Sequence, residues 1–145
     1  MNQRFEAFMT GITVCYKCIQ RIKTHEMTEF NLKGAHAMCL FFLRRNPEGL
    51  TSAQLCQLCA EDKATISRML STLQERGYVE SADRKYRALI RLTESGERIA
   101  RRVDELVEQW VASGGDGLSE EERNVFYHSL GVISENLRCS LEKCK

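Results

Sequence analysis

Hydrophobic residues recur at spacings of three and four along most of the chain, which is the pattern of amphipathic α-helices. We predict six helices, over residues 5–22, 32–45, 52–60, 62–76, 93–112 and 120–142. The polar segment 23–31 is predicted to be a linker between the first two. Within the second helix, Met38–Leu43 is apolar nearly all round, so this helix is expected to be central and buried.

Residues that favour helix ends occupy the predicted boundaries. Asn46-Pro47 ends the second helix, because the residue before a proline avoids the helical conformation. Gly77 follows the fourth helix, where it can supply a left-handed cap. The side chains expected to cap helix N-termini are Thr51 with Gln54, Asp62, Thr93, and Ser119 with Glu122.

Over residues 86–92 the side chains follow an alternating pattern in place of the helical spacing. Tyr86, Ala88, Ile90 and Leu92 alternate with Arg87, Leu89 and Arg91. A Ser-Ala-Asp-Arg turn precedes them, which predicts a small β-hairpin. The predicted fold class is therefore mainly α with a small β-hairpin wing, a winged helix-turn-helix lobe combined with a helical region from both termini.

The third and fourth helices have the spacing of a helix-turn-helix, in which a supporting helix holds a recognition helix in the DNA major groove. The side chains predicted to face the core are Leu55, Leu58 and Cys59 of the supporting helix, and Ile66, Met69, Leu70 and Leu73 of the recognition helix. The opposite side carries Ala64, Thr65, Arg68, Ser71 and Thr72, flanked by Lys63 and Ser67. Small and hydroxylated residues with one arginine allow close approach to base edges and phosphates.

Charge supports this interpretation only weakly. The whole chain has a net charge of +1. Residues 62–92 carry seven basic and four acidic side chains, whereas residues 101–145 carry six basic and nine acidic ones. Three of the basic residues, Arg84, Lys85 and Arg87, lie at or near the predicted hairpin tip, where they could reach phosphates or a minor groove. Solvated surfaces show similar imbalances, so charge alone leaves the partner open.

Three segments resemble the MarR-type bacterial transcription regulators: GLTSAQLCQLCAEDKATISRMLSTLQERGYVE, DRKYRALIRLTESGERIA and GLSEEERNVFYHSLGVISENL. The resemblance implies a homodimer that binds a pseudo-palindromic double-stranded DNA operator, and whose binding is relieved by a small molecule or an oxidant. It also implies that residues of about 32–92 form the DNA-binding lobe, while about 1–24 and 93–145 form the dimerisation region.

The resemblance also assigns DNA-binding residues. Lys63, Thr65, Ser67 and Arg68 fall on the family's recognition helix, and Asp83, Arg84 and Arg87 on its wing pattern. The complete predicted DNA-binding set is Thr51, Ser52, Lys63, Ala64, Thr65, Ser67, Arg68, Thr72, Arg84, Lys85 and Arg87. The chain departs from the family in a wing about three residues shorter and in Glu61, where an apolar residue is usual.

Seven cysteines, an odd number, indicate an intracellular protein with reduced thiols. Cys56 and Cys59 have the C-x-x-C spacing of zinc and dithiol redox sites, but a helical setting predicts that they belong to the core. Cys15 and Cys18 resemble the reactive first-helix cysteines of peroxide-sensing relatives. We therefore keep two interpretations of Cys15 and Cys18, an oxidant-sensing site and packing at the dimer interface.

The resemblance further suggests an effector pocket lined by Tyr16, His36 and Trp110, although a buried histidine with its hydrogen bonds satisfied is the more frequent explanation of a residue such as His36. We expect a cytoplasmic protein without a signal peptide, membrane span, cofactor, metal or catalytic residues. Two alternatives remain: a thiol redox or metal-sensing protein that uses the C-x-x-C cysteines, and a winged helix that contacts only proteins.

Overall fold

A computed structural model describes residues 2–81 and 88–144. Its elements in chain order are α1 (Asn2–Thr28), α2 (His36–Arg45), α3 (Ser52–Cys59), α4 (Lys63–Glu75), β1 (Val79–Ser81), β2 (Ile90–Leu92), α5 (Glu94–Gly114) and α6 (Glu120–Lys143). This helical architecture with one small hairpin confirms the predicted fold class. None of the helices described is long and apolar enough to cross a membrane.

The chain divides into two compact units, Met1–Glu105 and Leu106–Lys145. The core of the first unit contains α2, as predicted, with Cys39, Leu40 and Leu43 buried. Buried side chains from its other elements are Met27, Leu55, Ile66, Met69, Leu73, Val79, Ile90, Ile99 and Val103. These residues hold α3 and α4 against the central helix, and so fix the helix-turn-helix.

Helix α1 is longer than predicted, because the expected linker 23–31 is helical as far as Thr28. Met27 is buried, and Lys23, one turn earlier, is buried as well. The hydroxyls of Thr24 and Thr28 donate to the carbonyls one turn before them, at 2.9 and 2.7 Å. The end of α1 is helical although its sequence is mostly polar, because the aliphatic stem of Lys23 and the side chain of Met27 form its buried side.

Helix α2 begins at His36, four residues later than predicted. Asn31, with a φ of +59°, closes the end of α1, and the Leu32 N–H donates to the Met27 carbonyl at 3.0 Å. Gly34 then passes close to α1, since a Cβ at position 34 would lie 2.8 Å from the Thr24 nitrogen. The chain therefore makes a tight turn over residues that the sequence pattern assigned to the helix.

The predicted caps of the middle helices are confirmed. Thr51 and Gln54 form a reciprocal capping box at the start of α3. Asp62 Oδ1 accepts from the Thr65 N–H at 2.7 Å at the start of α4. Gly77 has a φ of +73° after α4, as its predicted role requires. The α3–α4 turn also contains Ala60 at φ +54°, a left-handed conformation that the sequence did not indicate.

The strands form an antiparallel pair in which Val79 lies opposite Leu92. Leu50, in the connection between α2 and α3, adds a bridge to Ile90 through two backbone hydrogen bonds of 3.0 and 2.8 Å. Arg91 Nε donates to the Glu48 carbonyl at 2.7 Å. The base of the hairpin is thus attached to the α2–α3 connection. Most of the predicted turn and the alternating residues before Ala88 lie outside the described residues.

The LTESG segment attaches the start of α5 to the end of α4. The Thr93 hydroxyl donates to the Gly77 carbonyl at 2.5 Å and accepts from the Gly96 N–H at 3.1 Å. The Thr93 N–H donates to the Tyr78 carbonyl at 3.0 Å. The predicted capping role of Thr93 therefore includes a tertiary contact. Farther along α5, Glu97 and Asp104 both pair with Arg44 of α2.

The second unit contains the end of α5 and all of α6. Ser119 and Glu122 form the predicted capping box at the start of α6. Arg123 Nη2 donates to the Gly115 carbonyl at 2.8 Å, which joins α6 to the preceding turn. Large apolar side chains exposed on α6 include Val125, Phe126, Ile133, Leu137 and Leu141.

Candidate nucleic-acid interface

Helix α4 has one buried side and one exposed side, as predicted. Ile66, Met69 and Leu73 are buried. The exposed residues of the predicted recognition face are Lys63, Ala64, Ser67, Arg68 and Ser71, while Thr65 and Thr72 are half-buried. A recognition helix needs this division, because its apolar side is anchored and its polar side remains accessible.

The supporting helix α3 corrects one core prediction. Leu55 is fully buried, but Leu58 is 43% exposed. Cys59 and Leu55 are one turn apart and share a face, whereas Leu58 and Cys59 lie about 100° apart around the axis. Leu55, Leu58 and Cys59 span about 100° around the axis, and α3 buries only the side that carries Leu55, so Leu58 is exposed.

The first turn of α4 is capped by the carboxylate of Asp62. Asp62 is exposed, and the backbone N–H bond from Thr65 holds the pKa of its carboxyl below the usual value. Lys63 and Ala64 follow on the exposed side. Because the Asp62 carboxylate offsets the positive end of the helix dipole, Lys63 is the group of this turn that can bind a phosphate.

Arg68 lies along the recognition face toward the start of the helix. Its Nη2 donates to the Thr65 hydroxyl at 3.3 Å, and the Thr72 hydroxyl donates to the Arg68 carbonyl at 3.2 Å. Arg68 is exposed, and this bond uses only one of the five N–H donors of its guanidinium. Thr65 therefore restricts the arginine without using up its hydrogen-bonding capacity.

A cleft of about 800 Å³ lies between the start of α3, the exposed side of α4 and the hairpin strands. It brings together four predicted DNA-binding residues, Thr51, Ser52, Lys63 and Ser67. The remaining described ones, Ala64, Thr65, Arg68 and Thr72, lie elsewhere on α4. Gln74 and Glu80 also line the cleft and were not predicted, because no local pattern reveals how β1 crosses α4. Arg84, Lys85 and Arg87, with Asp83, lie outside the described residues.

The three residues of the predicted effector pocket differ in exposure. Tyr16 is 63% exposed, and Trp110 is half-buried in the second unit. His36 is buried, and burial lowers its pKa. Its Nδ1 lies 3.0 Å from the Lys33 nitrogen, while its Nε2 has no hydrogen-bond partner among the described residues. The grouping of these residues into one pocket stays a prediction.

The cysteines differ from the prediction in their burial. Cys56 and Cys59, expected in the core, are only half-buried, and Cys56 lines the cleft. Each lies at the edge of the face through which α3 packs. Cys39 is fully buried, and its Sγ lies 3.8 Å from that of Cys59. Cys15 and Cys18 are exposed, and their oxidation stays a prediction. No group of three or more potential metal-binding side chains occurs in residues 2–81 and 88–144.

Comparison with known proteins agrees with this geometry. The model of the MarR family matches residues 30–88, the segment that contains α2, α3, α4 and β1. The chain has the MarR-type winged-helix fold. The MarR-type resemblance of the sequence is thereby confirmed.

Solved structures share this fold over most of their length. The transcriptional regulator SlyA superimposes with a TM-score of 0.84 at 22% identity, over 95% of this chain and 99% of that one. A MarR family regulator from Listeria monocytogenes, in complex with a 26-mer DNA, gives 0.82 at 23% identity, over 89% and 87%. A MarR protein from Peptoclostridium difficile gives 0.83 at 20%, over 96% and 92%. No curated protein matches the chain in sequence.

Proposed function

We propose that this MarR-type protein is a sequence-specific transcription regulator that binds double-stranded DNA with α4 in the major groove. The observation that carries the proposal is the division of α4, with Ile66, Met69 and Leu73 buried and Arg68 exposed among small polar residues. A groove about 12 Å wide admits a helix whose outer side has short side chains. Arg68 and Lys63 are the long cations on that side, and the planar guanidinium of Arg68 is suited to a guanine edge or a phosphate.

Positioning contacts to phosphates are proposed on both sides of α4. Lys63 offers a positive charge on one side, and Thr51 and Ser52 offer hydroxyls from the start of α3. The hairpin base is attached to the α2–α3 connection through Leu50. The segment between the strands carries Arg84, Lys85 and Arg87, and is proposed to contact the flanking backbone as a wing.

We further propose that the regulator is a homodimer on a pseudo-palindromic operator. Exposed apolar side chains cover both terminal helices, among them Phe5, Met9, Ile12 and Ile19 of α1 and Phe126, Ile133 and Leu137 of α6. Large exposed apolar patches on soluble proteins commonly mark interfaces, and twofold symmetry is the commonest arrangement. This supports the dimerisation region predicted from residues of about 1–24 and 93–145.

Repression by occlusion of an operator in the cytoplasm, relieved by a small-molecule or oxidant effector, completes the proposal. The MarR-type resemblance supports it, and the exposed Cys15 and Cys18 are candidate oxidant targets. A non-enzymatic role agrees with the absence of a recognisable catalytic motif in the sequence.

The test is selection of bound fragments from random duplex DNA by the intact protein, followed by titration of the selected duplex. We expect one enriched, roughly twofold-symmetric motif, and an affinity that falls steeply between roughly 50 and 200 mM salt, because phosphate contacts release counterions. Light scattering of the free protein should give the mass of two chains. A pool without enrichment, or binding indifferent to salt, would contradict the proposal and favour a winged helix that contacts proteins.

A further inference from the structure

Two thiols from different helices meet inside the first unit. Cys39 is in the middle of α2, and Cys59 is the last residue of α3. Their Sγ atoms are 3.8 Å apart. A disulfide requires about 2.05 Å, so the two sulfurs need to approach each other by less than 2 Å. Disulfide closure therefore requires side-chain rotation or a shift of the α3 terminus.

The two thiols have opposite environments. Cys39 is fully buried, and its hydrogen bond with Cys59, together with burial, raises its pKa. The same hydrogen bond lowers the pKa of Cys59, with a smaller contribution from the Lys23 ammonium, while burial and Glu61 act in the opposite direction. Cys59 is half-buried and is therefore the thiol that a small oxidant can reach. The thiolate is the reactive form of cysteine, which makes Cys59 the first target.

We propose that Cys59 and Cys39 form an intrachain redox site, in which a hydroperoxide oxidises Cys59 and Cys39 then closes a disulfide between α2 and α3. The site is distinct from Cys15 and Cys18, which are exposed on α1. It also differs from a C-x-x-C redox pair, since Cys56 lines the cleft and the partner of Cys59 lies on another helix.

The chemistry balances in two steps. The Cys59 thiolate attacks the terminal oxygen of the hydroperoxide, and an S–O bond forms as the O–O bond breaks. Cys59 becomes a sulfenic acid, and the departing alkoxide takes up the proton that Cys59 released, which gives an alcohol, or water from hydrogen peroxide. The Cys39 sulfur then attacks the Cys59 sulfur, and the S–O bond breaks as the S–S bond forms. The proton of Cys39 leaves with the hydroxide as water. In total, two thiols lose two electrons and two protons to one peroxide.

The disulfide would displace the recognition helix α4 through the short turn between α3 and α4, a consequence that rests on the proposed function. Only Ala60 and Glu61 separate Cys59 from the Asp62 cap of α4. Ala60 already has a left-handed φ of +54°, so the turn has little freedom to absorb a movement of Cys59. Closure of the disulfide is therefore expected to displace the start of α4 and to lower DNA affinity.

The chemical test uses the full chain with its four exposed cysteines, Cys15, Cys18, Cys139 and Cys144, replaced by serine, so that bonds between chains do not obscure the result. The protein is treated with one equivalent of cumene hydroperoxide, alkylated and digested with trypsin. No lysine or arginine lies between Arg45 and Lys63, so Cys56 and Cys59 share one tryptic peptide. A Cys56→Ser variant in the same background therefore assigns the bond.

We expect a cross-link between the Cys39 peptide and the Cys59 peptide, with or without Cys56, reversed by dithiothreitol. In the Cys39→Ala variant, Cys59 should stop at sulfenic acid, which dimedone traps. If Cys39 stays alkylatable in the oxidised protein, or if the cross-link disappears in Cys56→Ser, the redox site is refuted.

DNA binding is measured on the same samples with the selected duplex. We expect the oxidised protein to bind at least tenfold more weakly than the reduced one, and the Cys59→Ser protein to bind equally well with and without peroxide. A cross-link that leaves DNA affinity unchanged would refute the proposed effect of the disulfide on α4. If even the reduced protein fails to select DNA, the proposed function fails while the cross-link result stands.

Discussion

Gly96, in the first turn of α5, lies directly against the carbonyl of Tyr78, and a Cβ at position 96 would be 1.9 Å from that oxygen. Real atoms do not approach so closely, and the obstacle is backbone rather than a mobile side chain. The α5 helix reaches the end of α4 only because residue 96 has no side chain. The glycine of the LTESG segment is thus a packing requirement.

Gly96→Ala is predicted to destabilise the first unit by about 3 kcal/mol or more, at the upper end of overpacking effects, because α5 must move away from Tyr78. Urea denaturation followed by circular dichroism measures this. Gly114→Ala on the same helix is the control, since no atom lies within 4 Å of its Cβ position. It should change stability by less than about 1 kcal/mol. Equal effects of the two substitutions would mean that α5 does not contact Tyr78 as described.

Arg68→Ala is predicted to weaken binding to the selected duplex by roughly 1–3 kcal/mol and to relax preference at one base position, because the proposed function assigns base readout to this side chain. Competition between duplexes that differ at single positions measures both effects. Arg138→Ala, on α6, removes the same charge from an exposed ion pair with Glu135 and should leave affinity unchanged. Binding by Arg68→Ala indistinguishable from wild type would show that the recognition face is misplaced.

Arg84→Ala is predicted to weaken binding to all duplexes alike, because a wing cation contacts phosphates rather than base edges. The slope of log affinity against log salt should fall by about one relative to wild type. Titration of the selected duplex and of a scrambled duplex at several salt concentrations tests this. A loss confined to the selected duplex would instead assign base readout to Arg84.

Asp62→Asn is predicted to remove part of the acid sensitivity of the fold. The pKa of Asp62 is lower in the folded protein than in the unfolded chain, so its stabilising effect is fully present above the unfolded value of about 3.9. The effect is lost as pH falls through the folded pKa. Asparagine caps a helix without titrating.

The measurement for Asp62 is the thermal midpoint between about pH 2.5 and 5.5, the range that brackets ordinary carboxyl pKa values. We expect the wild type to lose more stability than Asp62→Asn as the pH falls. Asp62→Ala should be less stable than both at pH 7, because it lacks the cap. Parallel curves for wild type and Asp62→Asn would contradict the role of the Asp62 charge.

Local signals were enough to predict the parts of the fold that depend on neighbouring residues. Capping pairs such as Thr51–Gln54 act over one turn, and the two sides of α4 follow from helical periodicity. The extension of α1 was missed because Lys23 is buried along its stem, and periodicity counts lysine as polar. The late start of α2 depends on the approach of Gly34 to Thr24, which is a tertiary contact.

The candidate site was predictable on α4 and less so around it. Every exposed residue of its recognition face was expected from the helical period, because one helix determines which side each residue occupies. Gln74 and Glu80 join the cleft only through the crossing of β1 and α4. Cys39 and Cys59 are 20 residues apart in sequence, and their contact arises from the packing of α2 on α3. The C-x-x-C spacing indicates Cys56 as the partner of Cys59, whereas Cys56 lines the cleft and Cys59 lies next to Cys39.

The bridge between Leu50 and Ile90 holds the base of the hairpin through backbone atoms alone. Because this attachment does not depend on side chains, we expect that the six residues from 82 to 87 can be exchanged for longer or shorter sequences while the rest of the lobe keeps its fold. Replacing this segment with the wing of another regulator is therefore a practical way to alter specificity, and the same exchange is open to evolution.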